Sequence, residues 1–301
     1  MTAPGSDRWG ARRPVHLDTD IGENPDDLAA LALLLAHRDV ELVGVTTVDD
    51  PRGERAAQAR QVLDMVGRDV PIAPGDGGTA AGAAVPAAAP GAAVELLAAA
   101  VEGGATVVAV GPLTNLARLE RHYPGTLRRA RLVVMGGWVT DMPGDLPPWG
   151  PGRDTNVVRD VGAAATVFAM AGELTLVTLA ETAQCTVRMA DLGRLRAAGP
   201  VGDLLARQAV DHARERGMTA LGTAHTGLPD DLVLMLHDPL AAAVALGWEG
   251  VGLARSRMRV EPGEGGLRLV PDPAGREVST VAWVDAPAFT DWWLRLLHRL
   301  D

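Results

Sequence analysis

The feature that most constrains the fold is an alternation of two kinds of segment along the chain. Short apolar runs rich in β-branched residues alternate with longer Ala- and Leu-rich segments of helical periodicity. This alternation is typical of a mostly parallel sheet covered by helices. We therefore predict an α/β fold with an open, mostly parallel (mixed) sheet flanked by helices. A length of 301 residues allows one large domain or two small ones. We favour one domain over residues 1–301, because no long polar tract divides the chain.

The predicted elements follow this alternation. Six segments are predicted strands, namely Val15–Asp18, Glu41–Val48, Val70–Ala73, Ala105–Val110, Leu132–Met135 and Leu174–Leu179. Five segments are predicted helices, namely Asp26–His37, Gly53–Val66, Ala92–Glu102, Leu113–Tyr123 and Val161–Met170. In the last third we predict helices over Val201–Arg216 and Asp231–Leu246, strands in "GLRLV" and "STVAWV", and a closing helix with Asp285 as its N-cap. The stretch Gly75–Ala93 is rich in Gly, Ala and Pro, and we expect a surface loop there.

Composition argues against several classes of partner. A formal net charge of -10 argues against nucleic acid, because phosphate backbones are bound by clustered Lys and Arg. The single cysteine, Cys185, cannot form an internal disulfide, and we expect it in the core. Residues 1–14 lack the apolar stretch of a signal peptide, and no uninterrupted apolar span of about 18 residues occurs. We therefore expect a cytoplasmic protein with no membrane partner.

One stretch, "VHLDTDIGENPDDLAALALLLAHRD", crowds negative charge between a predicted strand and a predicted helix. Asp18, Asp20, Asp26 and Asp27 fall within ten positions. They lie where the carboxyl end of a parallel strand is expected, which is where open α/β sheets place ligands. The sequence therefore predicts a functional site in this loop.

Two interpretations explain these aspartates. Asp26 and Asp27 can simply complement the positive end of the helix that begins there. Asp18 and Asp20 precede the helix, and converging carboxylates repel one another unless a positive charge lies between them. Oxygen ligands of this kind select Ca²⁺ or Mg²⁺. An EF-hand loop is excluded, because Glu23 and Ala29 stand where it needs Gly and Glu. The stretch favours a metal site and leaves a capped helix beside a solvated loop as the alternative.

Two further segments bring possible metal ligands to the same place. In "VVAVGPLTNLARLE" a strand ends at Val110, so its carbonyl can point into the same crevice. In "LVLMLHDPLAAAVAL" His237 and Asp238 lie side by side in an apolar pattern. A buried, ionised aspartate needs a partner. A cation shared with Asp20 and Asp27 would supply one for Asp238.

An ordered set of motifs resembles the nucleoside hydrolase family, of the inosine-uridine preferring kind. The motifs are "DTDIGENPDD", "VGVTTV", "VGPLTNLA", "LVVMGG", "DTNVVRD" and "HDPLAAA", which span Asp18 to about Ala243. Each motif alone means little, but the ordered set is specific. The resemblance implies an open α/β fold and a Ca²⁺-dependent hydrolysis of N-ribosides that gives ribose and the free base. It also implies a homodimer or homotetramer.

The resemblance implies a calcium shell of three carboxylates and one carbonyl. Asp20, Asp27 and Asp238 are the implied carboxylate ligands, and Val110 contributes its backbone oxygen. Cleaving an N-glycosidic bond passes through an oxocarbenium-like sugar, which needs a poised water and nearby negative charge. A bound cation orients that water, and a neighbouring carboxylate takes its proton. We assign this base to Asp20.

The resemblance also implies a ribose site. Asp18 corresponds to the aspartate that buttresses the metal site, and Asp26 to the one that holds a ribose hydroxyl. Asn156 resembles the ribose-binding asparagine of the family. Asp154 stands where the family has an acidic partner for the 5′ side of the sugar.

Protonation and stacking of the leaving base have several candidates, each with a structural alternative. His237 is the best candidate acid, since histidine titrates near neutrality; the alternative is a packed histidine beside Asp238. His225 is a second candidate on a loop, or a surface histidine. Trp138 and Trp149 flank the segment after "MGG" and could stack on a base, or simply pack.

Several positions depart from the family pattern. After "TTV" the family commonly has Gly-Asn, whereas this chain has Asp49, Asp50 and Pro51. The family's histidine-bearing loop is expected near residues 76–92, where this chain has a short Ala/Gly/Pro segment. Glu181 stands where Asp is common, and the loop within the acidic stretch is longer than in the best-known members. The changes spare the calcium shell and alter the pocket wall, so the identity of the base stays open.

Two rival functions come from other classes. A strand followed by "DTD" also resembles the nucleophile loop of haloacid-dehalogenase-like phosphatases. That chemistry needs a lysine to neutralise the phosphoenzyme, and the chain contains no lysine. A non-catalytic or specialised calcium-dependent riboside-binding protein is the remaining alternative, because the altered wall is compatible with lost chemistry.

Overall fold

The computed structural model describes residues 12–78 and 89–300. Residues 1–11, most of the segment assessed for a signal peptide, lie outside the described residues. So does the middle of the predicted loop Gly75–Ala93. Among the described residues, no helix combines the length and the apolar character needed to cross a membrane.

Eleven strands and twelve α-helices make up the described chain. The strands are β1 Arg13–Thr19, β2 Val40–Thr47, β3 Ile72–Pro74, β4 Thr106–Ala109, β5 Arg131–Met135, β6 Glu173–Val177, β7 Thr186–Arg188, β8 Leu232–Met235, β9 Val251–Gly263, β10 Gly266–Pro271 and β11 Arg276–Val284. The helices are α1 Pro25–Ala36, α2 Glu54–Met65, α3 Ala92–Glu102, α4 Thr114–His122, α5 Thr155–Val158, α6 Val161–Met170, α7 Leu179–Thr182, α8 Leu192–Arg196, α9 Gly199–Arg216, α10 Met218–Ala224, α11 His237–Ala245 and α12 Ala286–Leu297.

Nine strands form one mixed sheet, in which β1 lies between β4 and β2. The strand order is β10-β9-β11-β6-β5-β4-β1-β2-β3. The strands from β11 to β3 pair in parallel, and β9 pairs antiparallel with both β10 and β11. The chain therefore builds outward from β1 in both directions, and the carboxyl ends of β1 and β4 flank the switch point where such sheets bind ligands. The predicted fold class is confirmed.

Most predicted elements are confirmed, and one is wrong. The six predicted strands and the first five predicted helices agree with the structure within two residues at each end. Asp285 accepts a hydrogen bond from the Ala288 amide at 3.1 Å, which confirms it as the N-cap of the last helix. The predicted helix Asp231–Leu246 is wrong, because its first part is the strand β8, which pairs antiparallel with β7. An apolar run with both faces buried carries no period that separates strand from helix.

Helices cover both faces of the sheet. One core lies under α1, α9, α11 and α12, and a second core lies under α3, α4 and α6 on the opposite face. Every residue of α1 is buried. This helix follows β1 directly, so the acidic stretch is held from both sides by packed apolar residues, and its carboxylates cannot turn away into solvent.

A buried histidine connects β1 to β2 below the acidic stretch. His16 is fully buried, and its Nε2 lies 2.9 Å from the Thr46 hydroxyl. Thr46 in turn donates its proton to Asp18 at 2.6 Å, so the His16 Nε2–H is the donor to Thr46. Burial lowers the pKa of His16 to about 3. The folded protein therefore keeps this imidazole neutral.

We expect His16 to make folding stability sensitive to acid. The unfolded chain binds a proton at His16 below pH 6.5, whereas the folded chain does so only near pH 3. Stability from this residue is therefore complete above pH 6.5 and is lost as the pH falls. Relative to the H16Q variant, the free energy of unfolding should fall by up to about 1.4 kcal/mol per pH unit between pH 6 and pH 4. Urea unfolding at several pH values measures this. The H122Q variant, which removes an exposed histidine, is the control, and equal pH slopes in the native protein and H16Q would contradict the assignment.

Candidate active site

The candidate site lies at the carboxyl ends of β1 and β4. Asp20 follows β1, and Asp26 and Asp27 occupy the first turn of α1. Val110 follows β4, and its amide donates to the carbonyl of Asp18 at 2.8 Å. The next residue, Gly111, passes so close to this loop that a Cβ there would lie 2.8 Å from the Asp20 nitrogen. A side chain at this position would push the two strand ends apart, so glycine permits their approach.

Three buried carboxylates converge beside Asp20. Oxygen atoms of Asp26, Asp27 and Asp238 all lie within 4.8 Å of one another. Asp238 reaches the cluster from the first turn of α11. Thr19, the last residue of β1, donates its hydroxyl to Asp27. The structure thus brings together the three aspartates from two distant parts of the sequence.

The electrostatics of this cluster call for a cation. Burial raises the pKa of Asp26 to about 7 and raises the pKa values of Asp27 and Asp238 well above the usual range. Mutual repulsion among these carboxylates and Asp20 adds to the last two shifts. The buried Asp26 Oδ1 has no hydrogen-bond partner among the described residues. An oxygen-only set with an orphaned buried acceptor fits a hard divalent cation.

Asp20 has a different environment, because an arginine lies against it. Arg159 Nη1 is 2.8 Å from Asp20 Oδ2, and the same guanidinium also binds Glu23. Burial raises the pKa of Asp20, while Arg159 and then Arg55 oppose this shift. Sequence reasoning missed Arg159, and only its position three residues after Asn156 could have pointed to it. Arg159 holds the Asp20 carboxylate at the edge of the acidic cluster.

Asp18 lies beneath the cluster and is held by neutral donors. Its Oδ1 accepts hydrogen bonds from Thr46 at 2.6 Å and from the Asn115 amide at 2.8 Å. Burial is the main cause that raises the pKa of Asp18 to about 7. Its position fits the predicted supporting role. Asn115, which sequence reasoning missed, lies in the "PLTNLA" motif at the start of α4.

Asn156 and Asp154 line the same cavity from the short helix α5. Asn156 donates its side-chain amide to the carbonyl of Val110 at 2.9 Å and to that of Met135 at 3.1 Å. The carbonyl of Val110 keeps a second lone pair. Asp154 accepts from the Gly137 amide at 2.6 Å, and burial raises the pKa of Asp154 to about 6. The two glycines of "MGG" have φ of +133° and +90°, so the strand turns sharply to present this amide.

His237 begins α11 and is fixed by a threonine. Its Nδ1 lies 2.7 Å from the hydroxyl of Thr182 in α7. Burial, with smaller contributions from Arg153 and His212, lowers the pKa of His237 to about 4. The imidazole is therefore neutral at pH 7 in the folded protein, and it offers a hydrogen bond rather than a full positive charge. Thr182 was missed by sequence reasoning, because its contact with His237 forms only in the folded chain.

The remaining predicted residues fall into two groups. Trp149 lines the cavity, and Arg153 lies over its ring at 5.3 Å. Trp138 instead packs in the core with an exposed fraction of 2%. His225 ends α10 and is half-buried, outside the residues that line the cavity. The structure therefore brings Trp149 to the site and leaves Trp138 and His225 away from it.

The residues that depart from the family pattern also have defined positions in the structure. Asp50 accepts from the Thr47 hydroxyl at 2.8 Å and from the Ala56 amide at 2.9 Å, so it closes the turn into α2. Glu181 accepts from Thr178 at 2.6 Å. Neither side chain lines the acidic cavity. Of the expected histidine-loop region, residues 79–88 lie outside the described residues.

The acidic centre forms the floor of a cavity of about 520 Å³. This volume is within the range of small-molecule sites in proteins. Its lining includes buried carboxylates, among them Asp26, Asp27 and Asp238, and exposed arginine side chains. The cavity can accept a polar molecule that binds a cation through one end.

Comparison with known proteins identifies the family. The chain matches the family model of the inosine-uridine preferring nucleoside hydrolases over residues 15–291. It is 32% identical over 222 residues to the pyrimidine-specific ribonucleoside hydrolase RihA of Shewanella sp. strain ANA-3, which covers 64% of this chain and 68% of that protein. The RihA of Salmonella enteritidis PT4 is 29% identical over 64% of this chain and 69% of its own length.

Solved structures agree in fold. A plant nucleoside hydrolase superposes with a TM-score of 0.77 at 20% identity, over 96% of this chain and 99% of that chain. A purine-preferring ribonucleoside hydrolase from Gardnerella vaginalis gives 0.75 at 21% identity with the same coverage of 96% and 99%. The fold, the buried acidic centre and the family model define a hydrolase of N-ribosides. The chain belongs to the nucleoside hydrolase family, and it cleaves the N-glycosidic bond of ribonucleosides.

We expect a divalent cation to stabilise the folded protein through the acidic cluster. An ion that binds only the folded chain at about one hundred times its Kd should raise the free energy of unfolding by about 2.7 kcal/mol. Thermal unfolding in chelator, with calcium and magnesium then titrated separately, measures this gain. The D27N variant should lose it, whereas D64N, which changes an exposed aspartate of α2, should keep it. A gain that persists in D27N would place the ion elsewhere.

Proposed function

We propose that the chain is a calcium-dependent N-riboside hydrolase in which Asp20 acts as general base. The proposal rests above all on the convergence of Asp26, Asp27 and Asp238 within 4.8 Å, beside Asp20 and at the cavity floor. Asp20, Asp27 and Asp238 would hold the ion with their carboxylates, and Val110 with its carbonyl. Calcium is favoured over magnesium because it tolerates more ligands and irregular geometry. When bound, the ion supplies positive charge that orients water and the vicinal ribose hydroxyls.

The residues of this chain divide the reaction among them. Asp20 takes the proton of the water that attacks the anomeric carbon, and its carboxylate lies close to the charge that develops on the sugar. Asp26 holds a ribose hydroxyl, and Asn156 fixes the sugar from its position beside the Val110 carbonyl. Asp154 accepts from the 5′ side. Asp18 buttresses the floor through Thr46 and Asn115.

His237 faces the leaving base in this proposal. Its Nδ1 is engaged by Thr182 at 2.7 Å, which leaves Nε2 for the base. Burial keeps the ring neutral in the free protein. Negative charge that develops on the leaving base favours the protonated imidazole of His237, which can then act as the acid. Trp149 offers a flat apolar surface at the cavity, whereas Trp138 and His225 take no part.

The substrate is an N-riboside, and the base is the open part of the proposal. Ribose recognition is built from residues on the sheet, whereas the base is met by α9, α10 and α11, whose residues complete the cavity. A non-catalytic riboside binder is the weaker alternative, since the chain belongs to a hydrolase family. We further infer a cytoplasmic homodimer or homotetramer, from the sequence and the family resemblance.

We expect free ribose to be released from one or more ribosides in a purine, pyrimidine and nicotinamide panel. Chelator should abolish this release, and calcium should restore it. The D20A variant should lose at least about 1000-fold in kcat/KM, because it removes both the base and a ligand. Reducing-sugar or coupled ribose assays measure the rates. The exposed D64A change is the matched control, and circular dichroism verifies the fold; unchanged turnover in D20A would overturn the assignment.

His237 is tested by the dependence of the rate on the leaving group. In H237A, a nucleoside with a poor leaving base should lose about 100-fold or more in kcat, because general acid catalysis is worth that much. A nitrophenyl riboside, which departs without a proton, should lose less than about tenfold. The H225A variant should behave like the native protein with both substrates. Equal losses on the two substrates in H237A would remove its acid role.

A further inference from the structure

The outer part of the cavity carries an excess of positive charge that riboside hydrolysis does not require. We define the cationic rim as Arg153, Arg159 and Arg216, three exposed arginines that line the cavity. Two glutamates, Glu23 and Glu215, line it alongside them. Glu23 is already engaged by Arg159 and lies 3.8 Å from Arg55. Arg159 is paired with Asp20 and Glu23, so Arg153 and Arg216 share the rim with one further glutamate, Glu215.

Two arginines of this rim are available to a ligand. Within residues 12–78 and 89–300, neither Arg153 nor Arg216 forms an ion pair with an acidic side chain within 4.0 Å. By contrast, Arg207 and Arg214 of the same helix α9 pair with Asp203 and Asp211. Arg153 lies over the ring of Trp149 at 5.3 Å, which limits the positions of its guanidinium. A fixed guanidinium loses less entropy when it binds an anion.

The floor and the rim of the cavity thus differ in charge. The floor holds Asp20, Asp26, Asp27 and Asp238, which serve a cation and the ribose in the proposed function. The exposed rim carries Arg153 and Arg216, which form no ion pair within 4.0 Å among the described residues. A neutral nucleoside would leave these guanidinium groups without a partner, whereas a negatively charged group would meet them directly. Arg is suited to this task, because its planar fork binds carboxylate and phosphate through paired hydrogen bonds.

We propose that the preferred substrate is an anionic N-riboside, whose negative group contacts Arg153 and Arg216. This inference rests on the proposed function for the orientation of the ribose toward the floor. The shared chemistry is an anionic oxygen group, either a carboxylate on the leaving base or a phosphate on the 5′ oxygen. The first source places the charge beside α9, and the second places it beside Asp154, which Arg153 precedes.

A matched set of ligands, all with the same pyridinium charge, separates these sources from each other and from the absence of any preference for an anionic group. Nicotinamide riboside is the parent compound, nicotinic acid riboside replaces its carboxamide with a carboxylate of the same shape, and nicotinamide riboside 5′-monophosphate adds a phosphate. Calorimetry in calcium gives the Kd of each compound, and ribose or ribose phosphate release gives kcat/KM. Calorimetry compares the compounds that are not hydrolysed, and kcat/KM compares those that are, so failure of hydrolysis and failure of the charge preference remain distinct.

We expect either the compound with the carboxylate or the compound with the phosphate to bind at least about tenfold more tightly than the parent. A paired guanidinium contact is worth about that much. The R153Q and R216Q variants should each reduce this ratio toward one, and added salt should do the same. The R214Q variant of the same helix, which lies outside the cavity, should keep the ratio. Binding of all three compounds with equal affinity, or a ratio unchanged in both rim variants, would overturn the proposal.

Discussion

The arrangement of the site is determined by the repulsion among carboxylates that are buried near the end of β1. Asp26, Asp27 and Asp238 come within 4.8 Å in surroundings that favour their neutral forms. Residues of the neighbouring elements reduce this repulsion. Hydroxyl and amide donors bind one oxygen of Asp18, a hydroxyl binds Asp27, and Arg159 offsets the charge of Asp20. A bound cation would neutralise the remaining negative charge of these carboxylates. Metal binding and the shape of the site therefore depend on the same electrostatic interactions.

In the proposed function, the cavity separates recognition of the sugar from recognition of the group that the sugar carries. Its floor consists of residues at strand ends and in the first turns of α1 and α11, which are rigid because they are packed. Its rim consists of arginine side chains from the end of α9 and from the segments on either side of α5, which are long and exposed. Strict geometry is needed at the anomeric carbon, where a small displacement lowers the rate. Discrimination among bases or charges needs less exact geometry. In the proposed function, the side chains of the rim make those contacts.

The sequence predicted most of the fold and the floor, because both depend on local patterns. The acidic stretch, the strand end at Val110 and the pair His237 and Asp238 could each be read from neighbouring residues. Arg159 and Thr182 could not, since each matters only through a contact with a residue far along the chain. The strand β8 lies within a predicted helix, because its buried residues show no hydrophobic period that separates strand from helix. Trp138 was chosen by residue type, and packing rather than type decided where it lies.

The complete burial of α1 has a consequence for how such an enzyme can diverge. A helix without a solvent face tolerates few replacements, because each one disturbs close packing on all sides. The aspartates in its first turn are tied to that packing, so the hydrolytic centre changes slowly over generations. The end of α9 has no such ties and can exchange one side chain for another at little cost to folding. Descendants of this chain can therefore acquire new substrates while their chemistry stays the same.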